Sequence, residues 1–183
     1  MVILYIVLGV IALCVIYVIS TRNSLVSLRN KVKNEYSQID VQLKRRFDLI
    51  PNLVETVKGY TKHEKETLEN VVEARNTYLT AGSLEDQVKA DDMLTSAVNK
   101  LFALSESYPD LKANANFIDL QNQLNETEDK IAYSRQFYND SVLKLNNKIE
   151  MFPSNLVANM FHFEKEKFFE AAASEKENIK VEF

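Results

Sequence analysis

An apolar stripe at helical spacing runs from Leu25 to Leu79 and crosses a proline without losing step. Leu25, Leu28, Val32, Tyr36, Ile39, Leu43, Phe47 and Ile50 recur every three or four residues, and Val54, Val57, Tyr60 or Thr61, Leu68, Val71 and Leu79 continue the series beyond Pro51. Such spacing marks one face of an α-helix. A proline in a helix interior lacks a backbone donor and crowds the preceding turn. The stripe therefore predicts either one helix kinked at Ile50-Pro51 or two helices in close register, the second capped by Asp48 with Pro51 in its first turn. Three glycines and three prolines in 183 residues leave little material for turns and favour long helices. The expected fold class is all-α: an N-terminal transmembrane helix followed by an antiparallel up-and-down bundle of long helices.

The anchor is the apolar run Val2 to Ile19, within a stretch of residues 1 to 20 that holds no charged side chain. At a helical rise its roughly 18 residues span about 27 Å, close to the hydrocarbon thickness of a bilayer. The start MVILY lacks the basic segment of a secretory signal, and the exit through Ser20, Thr21 and Arg22 lacks its cleavage pattern. Cys14 is the only cysteine. It follows Leu13, where a lipoprotein processing site has a small residue, and reads as a small hydrophobe; it also excludes an intrachain disulfide and a cysteine metal site. Arg22, Arg29, Lys31 and Lys33 follow the span and none precedes it, so the short N-terminus is expected outside and the bundle in the cytoplasm of a single-pass cell-membrane protein. Residues 21 to 46 carry seven Lys or Arg against two acids, and residues 47 to 183 sum to −9. An acidic main body argues against nucleic-acid binding. Lys44, Arg45 and Arg46 are expected on a solvated helix face.

Further joints follow. Gly82 suits a left-handed C-terminal cap, and Ser83 with Asp86 has capping-box spacing. A helix to about Ser107 would turn Leu84, Val88, Leu94, Val98, Leu101 and Leu104 or Ser105 inward, ending at Tyr108-Pro109. After a polar connection from Asp110 to Ala115, the last long helix is expected to start with Asn116 as cap. Phe117, Leu120, Leu124, Thr127, Ile131, Ser134, Tyr138, Leu145, Ile149 and Phe152 mark its stripe, with the heptad-like steps of shallow, coiled-coil-like packing. Phe152-Pro153 closes it. The expected divisions are an anchor at 1–21, a bundle at 22–153 and an aromatic-rich segment at 154–183.

Four stretches carry a resemblance: RRFDLIPNLVETVKGYTKHEKETLENVVEAR from Arg45 to Arg75, SESYPDLKANANFIDLQNQLNETEDKIAYSRQFYND from Ser105 to Asp140, and the FPSNL and FFE segments near the end. They resemble the LemA family of bacterial membrane-anchored helical proteins, from about Asn23 to the C-terminus. The resemblance implies a helical fold and a membrane setting and brings no reaction with it.

Residue chemistry points the same way. His63-Glu64 opens HEKET, but Thr67 stands where a zinc-protease helix needs its second histidine, and His162 is the only other one. No glycine-rich phosphate loop exists, and no Ser or Thr has a histidine placed by sequence to activate it. No catalytic residue, cofactor or metal ligand is expected. The candidates are structural or partner-contacting: Pro51 and Asn52 in the first motif, Tyr108-Pro109 and Phe152-Pro153 at the joints, and Arg75, Glu128 and Arg135, which with Glu106 sit by the stripes where ion pairs could bridge helices. Phe161, Phe163, Phe168 and Phe169 crowd around Glu164-Lys165-Glu166-Lys167 and require cover from the bundle, a partner or the membrane surface. Ile179 to Phe183 alternates like a strand that adds to another protein, or frays. Residues 154 to 183 are expected to serve assembly or docking, and the bundle up to Phe152 to fold without them. The expected function is a non-enzymatic scaffold that forms homo-oligomers or docks membrane-protein partners at the inner face of the cell membrane. The second reading is a regulatory adaptor of a membrane protease or sensor kinase, and the third an enzyme of unrecognised type.

Overall fold

A computed structural model describes residues 1–61, 63–82 and 84–169, with only the backbone described at 84 and 85. The fold is all-α, a long apolar N-terminal helix leading into a helical bundle. Its elements are α1 (Val2–Lys58), α2 (Lys65–Thr80), α3 (Leu84–Ser105), α4 (Pro109–Lys112), α5 (Ala115–Glu150) and α6 (Ser154–Met160). The chain forms two compact units, residues 1–39 with 134–168, and residues 40–133 with Phe169.

In the first unit, none of the residues of the span is buried, and burial begins at Thr21 and Leu25. Val32 and Ile39 continue the buried stripe of α1, and Tyr138, Val142, Leu145 and Ile149 supply that of α5. Tyr36 meets Tyr138 with ring centroids 6.0 Å apart, while Arg22, several turns before Tyr36, lies by Phe161 beyond the end of α5. The two helices are thus antiparallel. Helix α6 buries Ser154, Val157 and Ala158. It ends in the double hydrogen-bond pattern of a Schellman cap: the His162 N–H donates to the Asn159 carbonyl at 3.2 Å and the Phe163 N–H to that of Ala158 at 3.0 Å. His162 takes the left-handed position, φ 53°, where glycine is usual.

In the second unit, helix α1 runs unbroken through Pro51. Of the two readings of that proline, the continuous helix holds, and Asp48 lies inside it rather than capping a second one. The interruption comes at residues 59–64 instead, beginning at a glycine, which weakens helix continuation. There the Tyr60 and Thr61 N–H groups both turn back to the Val57 carbonyl, which Thr61 Oγ1 also meets at 3.1 Å. Beyond Pro51 the expected stripe holds at Val57, Thr61 and Val71, which are buried; Leu53 is buried where Val54 was expected, Val54 and Leu68 are half-buried, and Tyr60 and Leu79 are exposed. Gly82 shows no positive φ, so no left-handed cap forms there, and Ser83 lies outside the described residues.

Helix α3 ends at Ser105 and buries Ala90, Asp91, Leu94, Ala97, Val98 and Leu101. The expected polar connection is a one-turn helix, α4, with Pro109 in its first turn and Leu111 wholly buried. Asn114, not Asn116, caps α5: its Oδ1 accepts the Phe117 N–H at 3.0 Å. Phe117, Leu120, Leu124, Thr127 and Ile131 are buried as the periodicity predicts. Phe152 is not; α5 ends at Glu150, and the Phe152 side chain is 79% exposed.

Candidate interaction site

In the second unit one cation joins three helices. The Arg46 guanidinium, 3% exposed, donates from Nη1 to Asp91 Oδ1 at 2.8 Å and reaches Glu128 Oε2 at 3.0 Å; from Nη2 it donates to Thr95 Oγ1 at 2.8 Å. Thr95 passes the chain on by donating to the Asp91 carbonyl at 3.0 Å. Arginine suits this position because its planar fork meets several acceptors at once and stays charged when buried. The expectation of a solvated face fails at this residue alone of the basic triplet. Arg45 is exposed and Lys44 lies outside the buried set, with Arg45 reaching Glu126 at 3.7 Å. Lys130, hydrogen-bonded to Glu126, and then Arg45 hold that carboxyl below its usual range. A sequence signal for Arg46 existed: it sits between Leu43 and Ile50 on the apolar stripe, and Asp91 sits likewise between Val88 and Leu94.

Arg75 and Pro51, two candidates from the first motif, meet through a third residue. Pro51 has no N–H to give the carbonyl four residues back, that of Phe47. Arg75 Nε donates to that same Phe47 oxygen at 3.2 Å. The arginine thus gives the Phe47 carbonyl a donor in place of the one that the proline lacks. Phe47 also packs its ring on Tyr78 of α2, 4.4 Å between centroids. Asn52 is exposed, and its carbonyl accepts from Thr56 Oγ1 at 2.8 Å.

At the α3–α4 joint, the Tyr108 hydroxyl donates to Glu64 Oε1 at 3.0 Å, a bond to a carboxylate that raises the phenol above its ordinary range. Asn114 donates to the Tyr60 hydroxyl at 2.7 Å. Beside these contacts the end of α1 and the outer face of α2 enclose an open groove of about 1040 Å³. Val54, Leu68 and Val72 give it an apolar floor, and Glu55, Glu64, Glu69 and Glu73 outnumber Lys58 and Lys65 along it.

The aromatic segment of the first unit lies on its own helices. Arg22 stacks over Phe161 at 5.3 Å and Arg29 over Phe163 at 5.2 Å, both cation–π contacts. Asn146 binds the backbone of Glu166 twice, Nδ2 donating to the carbonyl at 2.9 Å and Oδ1 accepting the N–H at 3.0 Å. The Tyr138 hydroxyl donates to the Lys167 carbonyl at 3.0 Å. Lys165 pairs with Glu150. Phe168 is exposed, and Arg135 is half-buried on α5. In the second unit Phe169 is buried, and Glu106 pairs with Lys112 at the surface. Phe183 and the alternating end from Ile179 lie outside the described residues. Among the described residues no group of three His, Cys, Asp or Glu is placed to hold a metal ion.

Fold and contacts together define a class: a protein anchored in the membrane by one N-terminal helix, whose charged and aromatic groups, among the described residues, tie helices together. The chain belongs to the LemA family, which its residues 35–183 match. It is 27% identical over 165 residues to Protein LemA of Metamycoplasma hominis, covering 88% of this chain and 74% of that protein. It is also 24% identical over 174 residues to magnetosome protein MamQ 1 of Paramagnetospirillum magneticum and 22% identical over 173 residues to magnetosome protein MamQ of Magnetospirillum gryphiswaldense. Those alignments take in 81% and 80% of this chain and 64% of each relative, so the chain spans just under two thirds of their length.

Proposed function

We propose that the protein is a non-enzymatic scaffold at the inner face of the cell membrane, where its helical body docks partner proteins or further copies of itself. The groove along α2 carries this reading. An apolar floor with a net acidic margin suits an amphipathic helix bearing an apolar ridge and basic flanks, the helix-in-groove mode of recognition. A rigid body behind the groove supports it, because Arg46 and Arg75 bind α1 to its neighbours with directional, charge-assisted hydrogen bonds. The basic residues that follow the span favour a cytoplasmic body. The alternating sequence from Ile179 to Phe183 suits a second docking element.

A photo-crosslinking residue at Val72, used in native membranes, tests the proposal. Crosslinks to a second copy support the self-associating scaffold, and crosslinks to a different membrane protein support the adaptor reading, in which the body tunes a membrane protease or sensor kinase. Absence of any crosslink, with an unchanged complex when Val72 and Leu68 are replaced by glutamate, removes the groove from the proposal.

A further inference from the structure

From Met151 to Phe161, around the turn between α5 and α6, there is no charged side chain. The large side chains of this stretch face outward: Met151 is 63% exposed, Phe152 79%, Leu156 59% and Met160 63%. Such a cluster on a folded helical body marks a contact surface. Its place in the first unit says what it contacts.

The Tyr36–Tyr138 contact sets the register of the antiparallel pair. Following α1 back and α5 forward by the same number of residues puts Glu150 level with Ser24, and Met151 and Phe152 level with Asn23 and Arg22. The Arg22–Phe161 stacking, 5.3 Å, places the other end of the turn at that same level independently. Arg22 lies three residues past Ile19, about 4.5 Å along the helix from the end of the apolar span. The polar headgroup layer extends about 5 to 7 Å beyond the hydrocarbon on each side. The turn therefore stands at headgroup depth beside the span, with its apolar side chains exposed there. Glu150, the nearest acid, is neutralised by Lys165 and adds no net repulsion toward anionic headgroups.

We propose that the α5–α6 turn is a second membrane contact, in which Met151, Phe152, Leu156 and Met160 dip into the lipid interface next to the transmembrane helix. A single span leaves a body free to swing and rotate about its axis. A wedge beside it fixes the angle at which the first unit stands on the bilayer. The attraction is apolar, since the stretch has no lysine or arginine of its own, so the contact should form on neutral phosphatidylcholine and survive high salt.

The chain contains no tryptophan, so Phe152→Trp creates a single reporter. The full-length variant would be placed one chain per phosphatidylcholine nanodisc, in ordinary lipid and in lipid brominated near the carbonyl end of the acyl chain. The expected result is blue-shifted emission that the brominated lipid quenches strongly and acrylamide quenches weakly. Phe137→Trp, an exposed position on α5 about 27 Å above Ile19 by the same register, should show the opposite pattern. Leu156→Trp repeats the measurement should Phe152→Trp lose its helical circular dichroism. Emission at both positions 152 and 156 that acrylamide quenches as readily as at 137, with no effect of bromine, overturns the proposal. Blue-shifted emission without bromine quenching also overturns it, because protein rather than lipid would then cover the turn.

Discussion

The Phe47 carbonyl can be served from two directions, by the backbone of position 51 or by the side chain of Arg75, and this makes the role of the arginine measurable. In the protein as it stands, Pro51 supplies no N–H and the Arg75 Nε supplies the bond at 3.2 Å. Arg75→Met keeps most of the apolar stem and removes the donor. A hydrogen bond to a charged group contributes about 1.5 to 3 kcal/mol, so that is the expected loss. At about 2 to 4 °C per kcal/mol for a chain of this size, the unfolding midpoint should fall by roughly 3 to 12 °C. In a Pro51→Ala background the restored backbone N–H at position 51 can reach the same oxygen, and a carbonyl accepts two bonds, so Pro51→Ala alone should be neutral or stabilising. Arg75→Met should then lose well under half of what it loses beside Pro51. The assay is thermal and urea unfolding of the four proteins in detergent, followed by far-ultraviolet circular dichroism and read as a double-mutant cycle. An equal loss from Arg75→Met in both backgrounds would show that the arginine does not substitute for the missing proline donor.

Four further outcomes are expected. Arg46→Met should destabilise by about 3 to 5 kcal/mol in urea unfolding, because it takes the cation from a buried carboxylate; adding Asp91→Leu should recover a large part, whereas a structural role for charge itself would leave the double variant as weak as the single. Tyr138 has its pKa raised above the usual phenol value by burial first, then by the nearby Glu166 and Tyr36, so its contribution is complete below the unfolded-state value and falls as pH rises through the folded one. Tyr138→Phe should accordingly flatten the decline of stability above about pH 10, and a pH profile parallel to the parent's would contradict this. His162→Gly should stabilise the first unit by a few tenths to about 1 kcal/mol in the same unfolding assay, since glycine adopts the left-handed cap without strain. In a Cys14→Ser background, an impermeant thiol reagent on intact cells should label a cysteine placed beside Val2 and spare one beside Phe183; the reverse pattern would place the body outside.

The helical period was enough to find most buried positions, because a face recurs whether or not the helix is continuous. It could not show where a helix stops. The stripe steps through Gly59 and Thr61 as readily as through Pro51, yet the break falls at 59–64, where backbone turns consume the Val57 carbonyl, and the proline is bridged by an arginine far along the chain in α2. Period does place Arg46 on the stripe, three residues after Leu43 and four before Ile50, and Arg45 about 100° off it. What period could not supply is the partner that makes a charge tolerable there, and the acids of α3 and α5 appear only in the fold. At position 152 the stripe ran past the end of its helix, so a phenylalanine expected in the core stands outside it, and the most exposed aromatic of the described residues became the most informative one. The aromatic segment could be recognised in sequence as needing cover. That α1 and α5 supply much of that cover required the fold.

Asn146 grips Glu166 by its peptide atoms alone, offering an amide that imitates the edge of a neighbouring strand. What it reads is therefore the main chain and not the glutamate. Position 166 is free to drift across nearly the whole alphabet of side chains, with proline barred for want of an N–H, while position 146 is confined to a carboxamide of one length. Variation among descendants of this chain should be concentrated on one partner of the pair and withheld from the other, although the two share the same bonds.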